Sequence, residues 1–303
     1  MDKKIKIITH DESFHADDVF ACAVLSFWLE KKNKSFRIIR TRDEKIITSG
    51  DYIFDLGGVY DADKNRFDHH QIGGAGKREN GIPYAAFGLV WKKFGKELCH
   101  GFEEVKDKID QKLVQPIDAQ DNGIDIFKPI FENLRAYTIE NITSAFQPTW
   151  KEKDGDIDGI FAGLVKIAKK ILEREIIKAS HLVEVEEILK KGYQKVNDKR
   201  FLVLDQKYHR QELEYILKDF PKELFFATCP TSLEEWKIIT IPAKDGSFKR
   251  RKLFPGNWAG RRDKELAKIT GVPDALFCHR GRFMAVTKSK KGAIKLVQLA
   301  LED

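Results

Sequence analysis

Short strand-like runs alternate with longer helical runs in the first part of the chain, and this alternation restricts the fold more than any other feature. Runs rich in isoleucine, phenylalanine and tyrosine occur at 5–9, 36–39 and 52–54. Apolar stretches with helical character span 17–31 and 84–94. Strands that alternate with helices favour a parallel sheet covered by helices. The pattern therefore predicts an α/β fold.

A second α/β region is predicted after residue 197. Apolar residues recur at helical spacing from 157 to 196, which predicts one or two long connecting helices. Strand-like runs follow at 201–205, 224–229 and 236–241, then a hairpin over 275–286 that turns at Arg280-Gly281, and a closing helix over 291–301. We therefore expect two domains, 1–197 and a smaller one at 198–303, which suits 303 residues at roughly 150 per domain.

Composition limits the classes of protein to which the chain can belong. The longest apolar run, from Val19 to Leu29, is about half of the ~20 residues that a membrane helix needs. The four cysteines form no CxxC pair, so neither a disulfide framework nor a thiolate zinc site is expected. The first ten residues enter a strand pattern without a signal-peptide run. We expect a soluble, cytoplasmic protein without a membrane partner.

The positive charge is concentrated at the C-terminal end. Residues 242–303 hold 15 Lys/Arg against 6 Asp/Glu, a net of +9, so the remaining residues carry −2 of the total of +7. Such a region attracts polyanions and makes their binding depend on salt. A solvated surface that only confers solubility is the alternative.

Histidines and carboxylates cluster at the ends of predicted strands or in the loops that follow them. These clusters are His10, His15, Asp17 and Asp18; Asp55; and Asp68, His69 and His70. A fourth is Asp118 with Asp121, which are three residues apart and would share a face if helical. Any one of them would pass for a helix cap or a turn. Because strand ends meet at one edge of a parallel sheet, we expect the clusters to converge. Carboxylates mixed with imidazoles suit two Mn²⁺ or Mg²⁺ ions, and Asp55 is the natural bridge between them.

These motifs resemble the DHH phosphoesterase superfamily, and within it the Myg-one (melanocyte proliferating gene) family. The matching segments are Thr9-His10, Phe14-His15, Asp17-Asp18, Asp55 to Gly58, Tyr60-Asp61, Asp68 to Gln71, Asp118 to Ile124, Gln147 to Trp150, 247–266 and 271–279. The resemblance covers nearly the whole chain and implies a parallel-sheet DHH phosphoesterase domain followed by a substrate-binding domain. One departure is that His15 and Asp17 follow His10 by five and seven residues, where the superfamily has Asp at four and six.

The resemblance also implies residue roles in the first domain. The metal ligands would be His10, His15, Asp17, Asp55, His69 and Asp121, with Asp118 as the rival of Asp121. His70 would face the substrate phosphate or protonate the leaving group, and Asp68 would orient a neighbouring imidazole.

In the basic domain the resemblance indicates Arg251, Trp258, Arg262 and His279 as substrate-binding residues. An arginine offers a planar fork for phosphate, and a tryptophan can stack on a base. The alternatives are a core or lid aromatic for Trp258, a hydrogen-bonded strand residue for His279 and a solvated loop for Lys249 to Lys252.

Together these features predict a metal-dependent phosphodiesterase that uses a hydroxide activated by two metal ions. We expect a 3′–5′ exonuclease or oligonucleotide hydrolase, with single-stranded RNA or DNA as its partner. A small-molecule phosphoesterase and a non-catalytic nucleic-acid-binding protein are the alternatives. The sequence leaves open whether the protein is a monomer or a homodimer.

Overall fold

The computed structural model describes residues 4–152, 155–243 and 249–303. The chain forms two compact units, Met1–His181 and Leu182–Asp303. The division falls between residues 181 and 182, inside the 39-residue helix Ile157–Lys195. The sequence pattern predicted a boundary at 197/198, after this helix. The division lies earlier because Val185, Leu189 and Tyr193 already pack in a core cluster of the second unit.

A five-stranded sheet forms the centre of the first unit. Its strands are β1 (Ile5–Thr9), β2 (Phe36–Arg40), β3 (Tyr52–Phe54), β4 (Tyr60–Asp61) and β5 (Arg66–Phe67). They lie in the order β2-β1-β3-β5-β4, and every neighbouring pair is parallel except β4 with β5. The three predicted strands are confirmed. The sequence missed β4 and β5 because two-residue strands show no alternation to detect.

Helices cover this sheet. They are α1 (Ala16–Lys31), α2 (Glu44–Ile47), α3 (Ala86–Leu98), α4 (Glu103–Ile109), α5 (Gln115–Asp121), α6 (Ile139–Ala145) and α7 (Ile157–Lys195). A π-helical turn, Asp110–Val114, joins α4 to α5, and Pro116 lies in the first turn of α5, where a missing N–H costs least. Helices α1 and α3 pack through Phe20 and Phe87, whose ring centroids are 5.3 Å apart.

The second unit holds another five-stranded sheet. Its strands are β6 (Phe201–Val203), β7 (Phe226–Pro230), β8 (Trp236–Thr240), β9 (Ala275–Cys278) and β10 (Met284–Thr287), in the order β6-β7-β8-β10-β9. Only β6 and β7 are parallel. The helices are α8 (Arg210–Leu217), α9 (Asp263–Thr270) and α10 (Lys290–Glu302). The α/β class, the hairpin at 280–281 and the closing helix are confirmed.

A buried ion pair fastens α5 to the rest of the first unit. Arg78 Nη2 lies 2.8 Å from Asp118 Oδ2 and 2.9 Å from Asp110 Oδ1. The Gly88 N–H in α3 donates to Asp118 Oδ1 at 2.9 Å, and a Cβ at Gly88 would lie 1.9 Å from Oδ2. Burial raises the pKa of Asp118 to about 7 despite the opposing charge of Arg78. The position of α5 therefore depends on this arginine.

We expect Arg78→Met to lower the free energy of unfolding by about 3–5 kcal/mol, because it leaves a buried carboxylate without its partner. Without the guanidinium the pKa of Asp118 rises further, so the loss should be larger at pH 8 than at pH 5.5, where the carboxyl can protonate. Urea unfolding at both pH values measures this. The control is Arg37→Met, which removes an exposed arginine of β2. Equal losses in both variants would contradict the assignment.

Candidate metal centre

Four neighbouring strand ends deliver side chains to one edge of the first sheet. His10 follows β1, Arg42 lies just after β2, Asp55 follows β3, and 68–70 follow β5. Parallel pairing brings these four ends together. The sequence predicted that His10, Asp55 and 68–70 would converge, but not that 68–70 follow a strand of their own. The site is therefore a product of the sheet order.

Asp55 is the centre of the cluster. Its Oδ2 lies 3.1 Å from His10 Nε2, and its Oδ1 lies 3.2 Å from His69 Nε2, so each oxygen faces one imidazole. The residue is 5% exposed and has a φ of 52°, in the left-handed region that aspartate and asparagine tolerate better than most residues. The backbone turn after β3 thus directs one carboxylate between two histidines.

Each of these imidazoles has a second carboxylate neighbour. His10 Nε2 is 3.3 Å from Asp18 Oδ2, and His69 Nε2 is 3.1 Å from Asp121 Oδ2. Asp18 also accepts the His15 N–H at 2.8 Å and so starts helix α1. The sequence analysis placed Asp18 in the first cluster but did not predict its contact with His10.

His15 and Asp17 complete the cluster on either side. The potential ligand atoms of His15 lie within 4.8 Å of those of His10 and Asp55, and those of Asp17 within 4.8 Å of those of His69 and Asp121. Asp17 is fully buried and accepts two backbone N–H groups at the start of α3, from 86 at 3.0 Å and from 87 at 2.8 Å. One side chain thus both caps a helix and faces the cluster.

His70 is held differently from His69. Its Nδ1 lies 2.8 Å from Asp68 Oδ1 and 3.5 Å from Asp55 Oδ1, and its side chain is 63% exposed. Asp68 is buried and also accepts the backbone N–H groups of His69, at 2.7 Å, and of Gly58. Asp68 therefore fixes the ring of His70 at the mouth of the site, while 55, 69 and 70 form a third group with potential ligand atoms within 4.8 Å.

Buried charges at this site shift one another's pKa values strongly. Burial works against protonation of His10 and His69, but their carboxylate neighbours outweigh it and raise both pKa values to about 10. The same imidazoles lower the pKa of Asp55 against the effect of its burial. Burial and the negative charges of Asp121 and Asp55 raise the pKa of Asp17. In the metal-free protein, protons on the two imidazoles balance this negative charge.

Several buried atoms of the cluster lack a hydrogen-bond partner. They include Asp18 Oδ2, Asp55 Oδ1 and His69 Nε2, the last two being close but not aligned for a hydrogen bond. A buried charged atom without a partner is costly, and a cation would satisfy Asp55 Oδ1 and His69 Nε2, whose residues both belong to potential metal-binding groups. Oxygen atoms mixed with imidazole nitrogens form a donor set suited to Mn²⁺ or Mg²⁺. The residues present therefore fit divalent cations.

The structure separates the two aspartates of α5. Asp121 faces His69, whereas Asp118 is engaged by Arg78 and by the Gly88 N–H and belongs to none of the three potential metal-binding groups. An α-helix turns by about 300° over three residues, so the two side chains diverge by about 60°. That divergence places one beside the cluster and the other between helices.

A cleft of about 390 Å³ opens onto the cluster. Besides predicted residues, it is lined by Leu56 and Gly57, which lie in a matching motif segment but were given no role, and by Ser13 and Arg42, which the sequence analysis did not identify. Arg42 is 58% exposed, with Nε 3.2 Å from Asp11 Oδ1. The sequence could have indicated Arg42 as a site residue, because it lies just beyond the end of β2, as His10 lies just beyond the end of β1.

Two of the four residues predicted to bind substrate have internal roles in the second unit. The Arg251 guanidinium donates to backbone carbonyls at and beyond the end of α8, including those of 218 at 2.5 Å, 220 at 3.0 Å and 221 at 2.6 Å. Trp258 is 4% exposed and stacks on Phe254, with ring centroids 5.8 Å apart. Arg251 thus holds a helix end, and Trp258 belongs to the core, as the alternative interpretation had it.

The other two are accessible. Arg262 is exposed, with its guanidinium carbon 5.0 Å from the centroid of the Phe277 ring. His279 is partly exposed, and its Nδ1 accepts the Gly281 N–H at 2.9 Å. The matching segment that contains Arg262 begins at Ser247, and 247–248 lie outside the described residues.

No helix in the described part of the chain combines the length and the apolar character that crossing a bilayer requires.

The chain resembles known proteins along nearly its whole length. Residues 6–301 match the model of a family named MYG1_exonuc and described as "Uncharacterised protein family (UPF0160)". The chain is 32% identical over 297 residues to a MYG1 protein of Chlamydia muridarum, covering 97% of this chain and 96% of the relative. It is 28% identical over 331 residues to the human MYG1 exonuclease, covering 98% and 85%. The chain therefore belongs to the MYG1 family.

Proposed function

We propose that the protein is a metal-dependent phosphodiesterase, acting as a 3′–5′ exonuclease or oligonucleotide hydrolase on single-stranded RNA or DNA. The observation that carries this proposal is Asp55, whose carboxylate oxygen Oδ2 lies 3.1 Å from His10 Nε2 and whose Oδ1 lies 3.2 Å from His69 Nε2. Human and mouse relatives bear the name MYG1 exonuclease, which supports a nuclease-like hydrolase.

Two overlapping ligand sets share Asp55. One consists of His10, His15 and Asp55, and the other of Asp55, His69 and His70, while His69 also belongs to a third set with Asp17 and Asp121. Divalent cations bound there would lower the pKa of a water molecule and neutralise charge on a phosphodiester. An intact set of donors favours an enzyme over a non-catalytic nucleic-acid-binding protein.

The residues at the mouth supply the remaining chemistry. Asp68 binds His70 at Nδ1, so Nε2 is the atom free to pass a proton to the leaving oxygen. Arg42 offers a fork of N–H donors in the same cleft, and its exposed guanidinium can grip a phosphate oxygen. In this assignment His70 acts on the leaving group, while Arg42 positions the phosphate.

The positive charge of the C-terminal region indicates the class of substrate. The +9 of residues 242–303 favours a polyanion over a free small phosphate. Within that region Arg262 and His279 are the substrate-binding candidates, because their side chains are accessible.

We expect Asp55→Asn to lower turnover of an end-labelled oligonucleotide by on the order of a thousandfold, about 4 kcal/mol in barrier, because it removes the charge shared by both ligand sets. Asparagine tolerates the left-handed backbone at this position, so the fold should persist. The assay uses ribo- and deoxyribo-oligonucleotides labelled at either end, with Mn²⁺, Mg²⁺ or chelator, and the order of products gives the polarity.

Asp63→Asn is the matched control, since Asp63 is an exposed aspartate in the turn between β4 and β5. It should retain full activity. Comparable activity in both variants, with normal folding by circular dichroism, would contradict the shared role of Asp55.

Metal binding should release protons. With pKa values of about 10, His10 and His69 are protonated at neutral pH in the metal-free protein and must lose those protons to bind a cation. We expect one to two protons released per chain at pH 7.5, and metal affinity that rises from pH 7 towards pH 10. Calorimetric titration in buffers of different ionisation enthalpy measures both. Affinity independent of pH, without proton release, would count against imidazole ligation.

Arg42→Ala should raise KM for oligonucleotides about tenfold at unchanged metal content, which corresponds to losing one charge-assisted hydrogen bond. A small aryl phosphodiester should be affected as well, because Arg42 lies in the cleft itself. Arg37→Ala, an exposed arginine earlier in β2, is the control.

Arg262→Ala separates strand binding from chemistry in the same assays. It should leave the aryl phosphodiester unaffected and flatten the log K against log salt slope for a single strand by about 0.7. If Arg42→Ala behaves as Arg37→Ala does, Arg42 does not contact phosphate. If Arg262→Ala weakens neither substrate, the small-molecule phosphoesterase becomes the better proposal.

A further inference from the structure

The segment that follows α5 is unusually apolar for an exposed one. We call residues 124–137 the apolar loop. It carries seven large hydrophobic side chains that are each at least 37% exposed: Ile124, Ile126, Phe127, Ile130, Phe131, Leu134 and Tyr137. Among the described residues no other stretch of this length exposes as many. Ile130, at 92% exposure, and Tyr137, at 72%, contribute almost their full surface.

The apolar loop has a defined base and a defined tip. At its base the Ile124 N–H donates to the Ala119 carbonyl at 2.8 Å, and Gln120 Nε2 donates to Thr138 Oγ1 at 3.2 Å. At its tip the Leu134 N–H donates to the Phe131 carbonyl at 3.2 Å, in a turn that includes Asn133 with a φ of 67°. The turn presents Ile130 and Phe131 to solvent.

The exposed apolar area is too large for an ordinary free surface. An aromatic side chain buries about 150–250 Å² when it is covered, and three of the seven are aromatic. Ile142, Phe146 and Trp150, which follow the loop, are 46%, 50% and 87% exposed and extend the same region of chain. The summed exposure of these ten side chains is on the order of 1,000 Å², which is comparable with the ~800 Å² per partner of a standard interface.

The charges of the loop favour another copy of itself over a polyanion. Asp125 and Glu132 alternate along the loop with Lys128 and Arg135, so its net charge is zero and each sign can meet its opposite on a second loop. A single-stranded nucleic acid would instead require a positive surface.

The apolar loop also borders a cavity. A cavity of about 240 Å³ opens beside the apolar loop, lined among others by Phe127, Pro129 and Leu134. The tip side chains Ile130 and Phe131 of one loop are of the kind that could fill such a cavity on another. A patch that presents both a projection and a receptor suits the two-fold symmetric contact that most homodimers use.

We propose that the apolar loop is the contact between two copies of this chain in a homodimer. The two loops pair about a two-fold axis, with apolar tips buried and opposite charges matched at the rim. The loop starts three residues after Asp121, so the interface and the metal centre share helix α5 as a boundary. This interface is independent of the proposed nuclease activity, which can stand or fall without it.

The test is the mass of the full-length protein in solution, measured by light scattering and sedimentation over a range of concentrations. Wild-type protein should be dimeric at micromolar concentration. Ile130→Asp and, separately, Phe131→Asp should raise the dissociation constant at least tenfold, while the circular dichroism spectrum stays that of the folded wild-type protein. Leu233→Asp is the control, because Leu233 is an exposed leucine, at 74%, far from the loop in sequence.

Each other outcome overturns the proposal. A wild-type monomer at tens of micromolar would do so, and so would a dimer that persists in both loop variants or is equally weakened by Leu233→Asp. If the wild type is monomeric and the loop variants bind oligonucleotides more weakly, the loop contacts the nucleic-acid strand instead.

Discussion

The mutual repulsion of carboxylates at one buried sheet edge is the constraint on which the rest of the first unit depends. Asp17, Asp18, Asp55 and Asp118 are each at most 5% exposed, and burying such groups without compensation would cost more than a marginally stable fold can tolerate. Backbone N–H groups of helix starts, the Arg78 guanidinium and two imidazoles supply that compensation. Of the atoms still without a hydrogen-bond partner, Asp55 Oδ1 and His69 Nε2 lie where a cation would be bound.

The same side chains therefore serve the fold and the site. Asp18 starts α1 and faces His10, and Asp17 accepts the first N–H groups of α3 while facing His69 and Asp121. An aspartate after a strand reads equally well as a helix cap or as a ligand, and here it is placed to be both. For this reason a single cluster did not indicate a metal site, whereas four clusters expected at one edge of the sheet did.

The sequence was sufficient to predict features that follow a repeating apolar pattern or that lie at strand ends. Strand periodicity predicted β1, β2 and β3, and the ends of β1 and β3 placed His10 and Asp55 at one edge. The cluster at 68–70 was expected to join them from a following loop, and the structure shows that it follows a further strand, β5. The sequence could not choose between Asp118 and Asp121, because that choice depends on how α5 is rotated by its contact with Arg78. It also assigned Arg251 and Trp258 to substrate, since a family motif does not show whether a guanidinium is already occupied by backbone carbonyls or a ring is buried against Phe254.

The central claim is that Asp55 is shared by two cations, and crystals grown with Mn²⁺ test it most directly through anomalous scattering. The account predicts two peaks about 3.5–4 Å apart, each at about 2.0–2.3 Å from an Asp55 oxygen, with His10 on one ion and His69 on the other. A single peak, or two peaks of which only one contacts Asp55, would contradict it.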